Sequence, residues 1–385
     1  MKILLVTYGL NTVGGVQSWQ HLFVHEFINR GHNITMCEMY DYADSHPGQR
    51  FERKWDSRIR IIRENGPVVQ RGVNPKTNLA ALKVMTNLIN KIRLAKFIKR
   101  ENFDAILLVD PNFSFFFFER TLRANNCFVQ FHSSFDRFKS TSKLRYLLTK
   151  RSYHSFSKFI FLSKGDMCKA IDAGFEINKV GYMYNFINES RFRTLKRKDF
   201  LIKKQILAVG NLDNPDKQID HILKAFSQID KEISKEWTIK IIGEGIFKKD
   251  LIALSERLGI SNSVEFTGKK SNPAQDYFES SFYVLSSSFE GAPLTLLECV
   301  FSNLPPVSYN CSPFIGELIK DSRYGRIVEL NNVDALSETM KYLILDPNTL
   351  ETISHNLNDI KNTFSLSSIA SRWENLFKNH REYTF

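Results

Sequence analysis

Short apolar runs that stop at glycine, serine or asparagine and hand over to a helix recur through this sequence, and few folds accept that alternation. Residues 2–7 (KILLVT) open the series, and Gly14-Gly15 then breaks the chain. From Val16 to Asn29, the residues Val16, Trp19, Leu22, Phe23 and Phe27 fall at helical spacing, and Asn33 to Glu38 is the next apolar run. A run that is apolar on both faces suits a parallel strand covered by helices on both sides. The pattern predicts an α/β chain of strand, loop, helix and strand units wound around a parallel sheet.

The same signal predicts strands over 104–109, 127–131, 159–163 and 180–184, with a long helix over 78–100 between them. It then lapses. Residues 186–204 are charge-rich and aperiodic, which reads as a linker. Strands resume at 205–209, 237–242, 264–267, 282–285 and 305–308. At 385 residues the chain is too long for one typical core. Two domains of nearly equal size follow, 1–185 and 205–368, with a last helix in 369–385 able to cross back onto the first.

Five cysteines, at 37, 127, 168, 299 and 311, show no paired spacing, so neither a disulfide framework nor a zinc site is expected. His21 and His25 stand one helical turn apart, but His-x-x-x-His-Glu is not the zinc-protease order. No apolar run approaches a membrane span. The aromatic run Phe115 to Phe118 is far too short, and the opening residues turn polar too soon for a signal peptide. The expected location is the cytoplasm.

An excess of 53 basic over 41 acidic residues gives a net charge of +12, which asks for an anionic partner. Between Asp136 and Lys158 there are seven Lys or Arg and one acid, interleaved with Phe138, Tyr146, Leu147, Leu148, Tyr153 and Phe156. Such a stretch fits a helix packed on the sheet, and equally an anionic membrane surface or a lipid-linked phosphate. No zinc-finger spacing or aromatic RNP signature accompanies it, so nucleic acid is not the expected partner.

The densest chemistry lies in Ser286 to Leu304, SSSFEGAPLTLLECVFSNL. Serines end the 282–285 strand, and Pro293 suits the first turn of a helix running from Leu294 to about Phe301. The amides of Leu294 and Thr295 would then face outward at a helix N-terminus, where the macrodipole favours an anion such as a diphosphate. Gly291 and Ala292 allow close backbone approach. Glu290 precedes the helix and Glu298 lies in it, so two hydroxyl-accepting carboxylates flank the anion position. A nucleotide sugar carries hydroxyls at both ends and a diphosphate between them. A plain strand, turn and helix with two solvated glutamates would carry the same residues.

Glu290, seven intervening residues and Glu298, set in EGAPLTLLE, resemble the signature of family 4 retaining glycosyltransferases. Gly14-Gly15, His132, Lys217, Glu290 and Glu298 follow that family's order across nearly the whole chain. The resemblance implies the GT-B fold, two Rossmann-like doubly wound domains facing a cleft, with the nucleotide-sugar donor bound mainly by the second. It implies that Lys217 neutralises the diphosphate, Glu290 orients the sugar hydroxyls, Glu298 holds the ribose and His132 positions the sugar. Gly14 and Gly15 would offer amides to the donor. Asn211 stands where the family usually has arginine, which removes one of two expected phosphate cations.

Asp-x-Asp occurs nowhere in the sequence, so no cofactor and no metal-held diphosphate are expected. The resemblance further implies a hexosyl- or N-acetylhexosaminyltransferase, with UDP as the favoured carrier. Its acceptor would be a glycan or lipid-linked glycan, such as a lipopolysaccharide, O-antigen or capsule precursor, met at the inner face of the cell membrane. Two other readings share the composition. A GT-B sugar-nucleotide epimerase would need no acceptor, and a non-catalytic nucleic-acid- or membrane-binding protein would leave the two glutamates and Lys217 without a use.

Overall fold

The computed structural model describes residues 1–8, 10, 14–39, 55–63, 79–111, 117–141, 143–193, 203–383 and 385. The chain divides into two compact units, Met1–Tyr184 with Ile369–Phe385, and Asn185–Ser368.

The first unit holds a seven-stranded sheet in the order β3-β2-β1-β4-β5-β6-β7. Its strands are β1 (Lys2–Thr7), β2 (Asn33–Glu38), β3 (Arg60–Arg63), β4 (Ala105–Leu108), β5 (Cys127–Gln130), β6 (Lys158–Phe161) and β7 (Val180–Tyr182). Every pairing is parallel. Order therefore reverses between β1 and β4, and the loop after β1 leads to Gly14 at the start of helix Gly15–Asn29.

That helix buries Trp19, Phe23, Val24 and Phe27, the helical spacing seen in the sequence. Helix Leu366–Asn379 closes over the same face. Its Trp373 meets Phe23 edge-on at 6.0 Å, and Phe377 meets Phe27 at 6.1 Å and Phe128 at 5.1 Å. Burying such aromatic side chains contributes about 1.5–3 kcal/mol each, so residues late in the sequence complete the first unit's core. The aromatic run at 113–116 and residues 9 and 11–13 of the loop before Gly14 lie outside the described residues.

The second unit holds a six-stranded, wholly parallel sheet in the order β10-β9-β8-β11-β12-β13. Its strands are β8 (Gln205–Val209), β9 (Thr238–Ile242), β10 (Val264–Gly268), β11 (Phe282–Leu285), β12 (Pro306–Tyr309) and β13 (Arg326–Val328). The reversal falls between β8 and β11, the position where open α/β sheets part their loops to admit ligands. Helix Ile219–Ser227 buries Ile219, Ile222, Leu223, Ala225 and Phe226, and these join Phe282, Val284, Leu336 and Met340 in one core.

Part of the 186–204 stretch is packed rather than strung out. Phe186, Ile187 and Phe192 are buried, a short helix forms at Ser190–Arg193, and Phe192 packs on Tyr277 and Phe278. These aromatic contacts take the place of the helical periodicity that the sequence lacks there. Residues 194–202 lie outside the described residues.

Trp373→Ala should lower the unfolding free energy by about 3–5 kcal/mol through the cavity it leaves. Urea denaturation checks it, with the change expected in the unfolding of the first unit.

Candidate functional site

The loops that leave β8 and β11 meet at the sheet's reversal, and most of the candidate residues sit on them. After β8 the chain runs through Gly210 and Asn211 to a short 3-10 turn, Pro215–Lys217, and Gln218 then adopts a left-handed backbone (φ 46°) to open helix Ile219–Ser227. Lys217 Nζ donates to Glu290 Oε1 at 2.6 Å. Ser287 Oγ donates to the same oxygen at 2.7 Å.

The other two serines also tie the loops together. Ser286 Oγ donates to the Lys217 carbonyl at 2.8 Å, and the Ser288 amide donates to the Asp216 carbonyl at 2.7 Å. In the sequence these serines read only as a strand end. Ser286 and Ser288 join the Lys217 loop to the Glu290 loop, and Ser287 steadies the carboxylate that Lys217 meets.

Asn211 is exposed, and its Oδ1 accepts the Asp213 amide at 3.0 Å. It shapes the turn. The loop is also pressed from below, since a Cβ on Gly243 would stand 2.0 Å from the Gly210 carbonyl oxygen and one on Gly245 would stand 2.2 Å from the Asp213 amide. Gly243-Glu244-Gly245 is thus required by packing against the Lys217 loop.

Pro293 takes the N-cap place (φ −64°, ψ 122°), one residue before the helical turn in which the sequence reading put it. Its extended backbone starts helix Leu294–Ser302 at Leu294, and the helix ends at Asn303 in a left-handed conformation. No side chain caps the start, and the first turn holds no acid. Leu294 and Thr295 are therefore presented at an N-terminus whose dipole is positive. The two residues before Pro293 are held by their carbonyls. Asn185 Nδ2 donates to Ala292 at 3.0 Å and Ser312 Oγ donates to Gly291 at 3.2 Å.

Glu298 lies one turn beyond Thr295 on the same face. Tyr277 Oη donates to its Oε2 at 2.6 Å. Burial pushes the Glu298 carboxyl above its usual range, while the Tyr277 hydroxyl and, more weakly, Arg191 pull it down. Tyr283 Oη reaches Thr295 Oγ1 at 2.9 Å. Both tyrosines escaped the sequence reading, because a buried tyrosine among apolar neighbours looks like core.

His132, Gly14 and Gly15 lie in the first unit. Gly14 has an extended backbone (φ 174°) and precedes helix Gly15–Asn29, again with no side-chain cap. His132 follows β5 by two residues, and its ring stands 4.7 Å from that of Trp19, edge to face. Among the described residues its Nε2 has no hydrogen-bond partner, and burial lowers its pKa to about 3. The imidazole is neutral near pH 7, so it acts as a hydrogen-bonding group and not as a cation.

His21 and His25 rings approach to 4.2 Å. Among the described residues no group of three or more His, Cys, Asp or Glu side chains is placed to hold a metal. All five cysteines are free thiols. No helix among the described residues is long and apolar enough to cross a membrane.

Two parallel sheets, each doubly wound, one extended by a helix that returns from the end of the other, define the GT-B fold. Anabaena HepE, solved in complex with UDP, shares that fold with a TM-score of 0.75 over 98% of this chain and 100% of its own, at 15% identity. Over residues 188–358 the chain matches the family described as glycosyl transferases group 1. An uncharacterized glycosyltransferase of Haemophilus influenzae is 30% identical over 195 residues, 50% of this chain and 55% of its own length. The N-acetylgalactosamine-N,N'-diacetylbacillosaminyl-diphospho-undecaprenol 4-alpha-N-acetylgalactosaminyltransferase of Campylobacter jejuni is 27% identical over 169 residues, 44% of this chain and 45% of its own. The chain thus spans about half the length of these curated relatives.

The enclosed Nε2 of His132 makes a direct prediction. The His132 ring signals in a two-dimensional NMR titration should stay in the neutral form from pH 8 down to pH 5. A midpoint near the ordinary value of about 6.5 would contradict the enclosure of Nε2.

Proposed function

We propose that the chain is a glycosyltransferase that takes a sugar from a nucleoside diphosphate carrier, UDP favoured, and passes it with retention to a glycan or lipid-linked glycan. One observation carries the reading. Lys217, the Glu290 carboxylate and an uncapped helix start converge at the sheet reversal of a unit whose sequence matches group 1 glycosyl transferases.

In this reading the donor diphosphate lies against the Lys217 ammonium and the amides of Leu294 and Thr295, with no metal ion required. A phosphate oxygen on Lys217 Nζ would replace Glu290 there, and Ser287 would keep hold of the released carboxylate. Glu290 then accepts hydroxyls of the donor sugar and Glu298 those of the ribose. The bond from the anomeric carbon to the leaving phosphate oxygen breaks while the acceptor oxygen bonds on the same face. The acceptor proton passes to that phosphate oxygen. Donors fixed where the leaving-group charge develops stabilise it without rearranging. Asn211 contributes turn geometry alone, so the second phosphate cation of the family pattern is not supplied from that position.

The lipid-linked acceptor is supported by the name of the Campylobacter relative, which includes a diphospho-undecaprenol carrier. It is also supported by a surface of the first unit. On helix Leu79–Glu101, Leu88, Ile89 and Ile92 are 47%, 43% and 41% exposed. Arg93, Lys96 and Lys99 are exposed on the same stripe. Apolar and basic groups on one face suit the surface of an anionic bilayer. In the 136–158 stretch Phe138, Tyr153 and Phe156 are buried and Lys150 donates to the Ala173 carbonyl, while Leu147 and Leu148 are exposed.

A thermal-shift and turnover assay against UDP, GDP and ADP sugars tests the transferase reading. One donor should raise the midpoint, and Lys217→Ala should weaken its binding by about 10- to 100-fold, the loss of one charge-assisted hydrogen bond. Near-normal transfer by Lys217→Ala or Glu290→Gln would remove the assignment, and donor conversion without an acceptor would indicate the epimerase.

Flotation with vesicles tests the surface. Binding should rise with the fraction of anionic lipid, fall with added salt, and drop when Lys96 and Lys99 become Glu, since each lysine is worth about 1 kcal/mol at such a surface. Recovery of the protein free of vesicles at every lipid composition would remove the membrane.

A further inference from the structure

Helix Ala274–Glu279 carries two adjacent buried side chains that no motif announces. Asp276 is 5% exposed and bonds Lys240 Nζ at 3.2 Å and Lys270 Nζ at 2.7 Å. Tyr277 is fully buried, stacked on Tyr283 at 6.1 Å and edge-on to Phe192 at 6.2 Å. The short helix is therefore fastened on both sides, by a two-lysine clamp and by a layer of aromatic rings. Such fastening leaves the Tyr277 hydroxyl one direction in which to point.

It points at Glu298, and among the described residues Tyr277 is the one side chain hydrogen-bonded to that carboxylate. We propose that Tyr277 is a positioning residue of the donor site, whose hydroxyl commits Oε2 of Glu298 inward so that the carboxylate's remaining lone pairs are presented to the ribose hydroxyls. The inference rests on the transferase reading and adds a residue to it. Tyr283 does the matching job one turn earlier on the same helix, by holding the Thr295 hydroxyl.

A carboxylate without such a partner swings among rotamers and loses a hydrogen bond that favours its ionised form. The titratable and charged groups around Glu298 are Tyr277, Tyr283 on β11, Cys299 on its own helix and Arg191. Burial already lifts the Glu298 carboxyl, and the Tyr277 hydroxyl opposes that lift. Removing the hydroxyl raises the carboxyl further, so binding that needs the carboxylate weakens as pH falls and recovers as pH rises.

Calorimetric titration of the full chain with UDP and with 2',3'-dideoxy-UDP tests this. Tyr277→Phe keeps the ring and should melt within a few degrees of the parent. It should weaken UDP about 10-fold, increasingly so as the pH is lowered, and leave the dideoxy probe unchanged. In a Glu298→Gln background the same substitution should cost nothing further, because the two act as one unit.

Equal weakening of both probes, or a full additive loss in the Glu298→Gln background, would reduce Tyr277 to a packing residue and overturn the inference while leaving the transferase reading standing. Unchanged UDP affinity in Tyr277→Phe would overturn it in the same way. A parent chain that binds none of UDP, GDP and ADP would instead overturn the transferase reading itself, and this inference with it.

Discussion

Oε1 of Glu290 accepts from Lys217 Nζ and from Ser287 Oγ at the same time, and the order of the second unit's ligand-facing edge depends on that oxygen. Side-chain exposure of 24% for Lys217 and 13% for Glu290 puts the pair between a solvated surface bridge and a fully desolvated one. Surface pairs contribute little, and buried ones are costly to break. The extra hydroxyl matters here because it satisfies a lone pair that water reaches poorly. With Ser286 on the Lys217 carbonyl and the Ser288 amide on the Asp216 carbonyl, two loops from neighbouring strands behave as one piece.

Each of the two units carries buried polar groups. In the second, buried charges come with partners: Asp276 has two lysines, and Glu298 has a tyrosine hydroxyl. In the first, both amide atoms of Gln20 and Gln130 and Nε2 of His132 are buried without a partner among the described residues. Gln130 and His132 alternate along the end of β5, so they face the same side as Phe128. The unmatched polar atoms there have hydrogen-bonding capacity to offer.

Much of this was legible in the sequence because parallel strands buried on both faces read as continuous apolar runs. KILLVT, QILAV and FYVL became β1, β8 and β11 with little change. Strand β3, Arg60-Ile61-Ile62-Arg63, was not, since two apolar residues between arginines carry no such signal. Glu290 and Glu298 were legible because a proline and a glycine set them against a helix start. Their supports were not. Ser287 lies in a serine run that reads as a strand end, and Tyr277 reads as core until its hydroxyl is seen to meet Glu298. The charge pattern at 136–158 fitted a helix packed on the sheet as well as a basic surface, and charge counts say nothing of the burial of Phe138, Tyr153 and Phe156. Asn211 shows the reverse case, a missing cation visible at once in the sequence whose replacement duty, shaping the turn, is visible only in the fold.

Helix Leu366–Asn379 packs Trp373 and Phe377 against Phe23, Phe27 and Phe128, which makes the second unit an insertion within the first. A ribosome delivers such a chain in an awkward order. Residues 185–368 are made while the first unit still lacks the aromatic lid on its own core, so apolar surface on helix Gly15–Asn29 and β5 stays uncovered until Trp373 and Phe377 follow. At roughly 5–20 residues per second, the wait lasts on the order of ten seconds or more. Nascent chains of this topology therefore depend on whatever shields that surface in the interval, and a break in the chain before Trp373 would strand the older half of the molecule, not the younger.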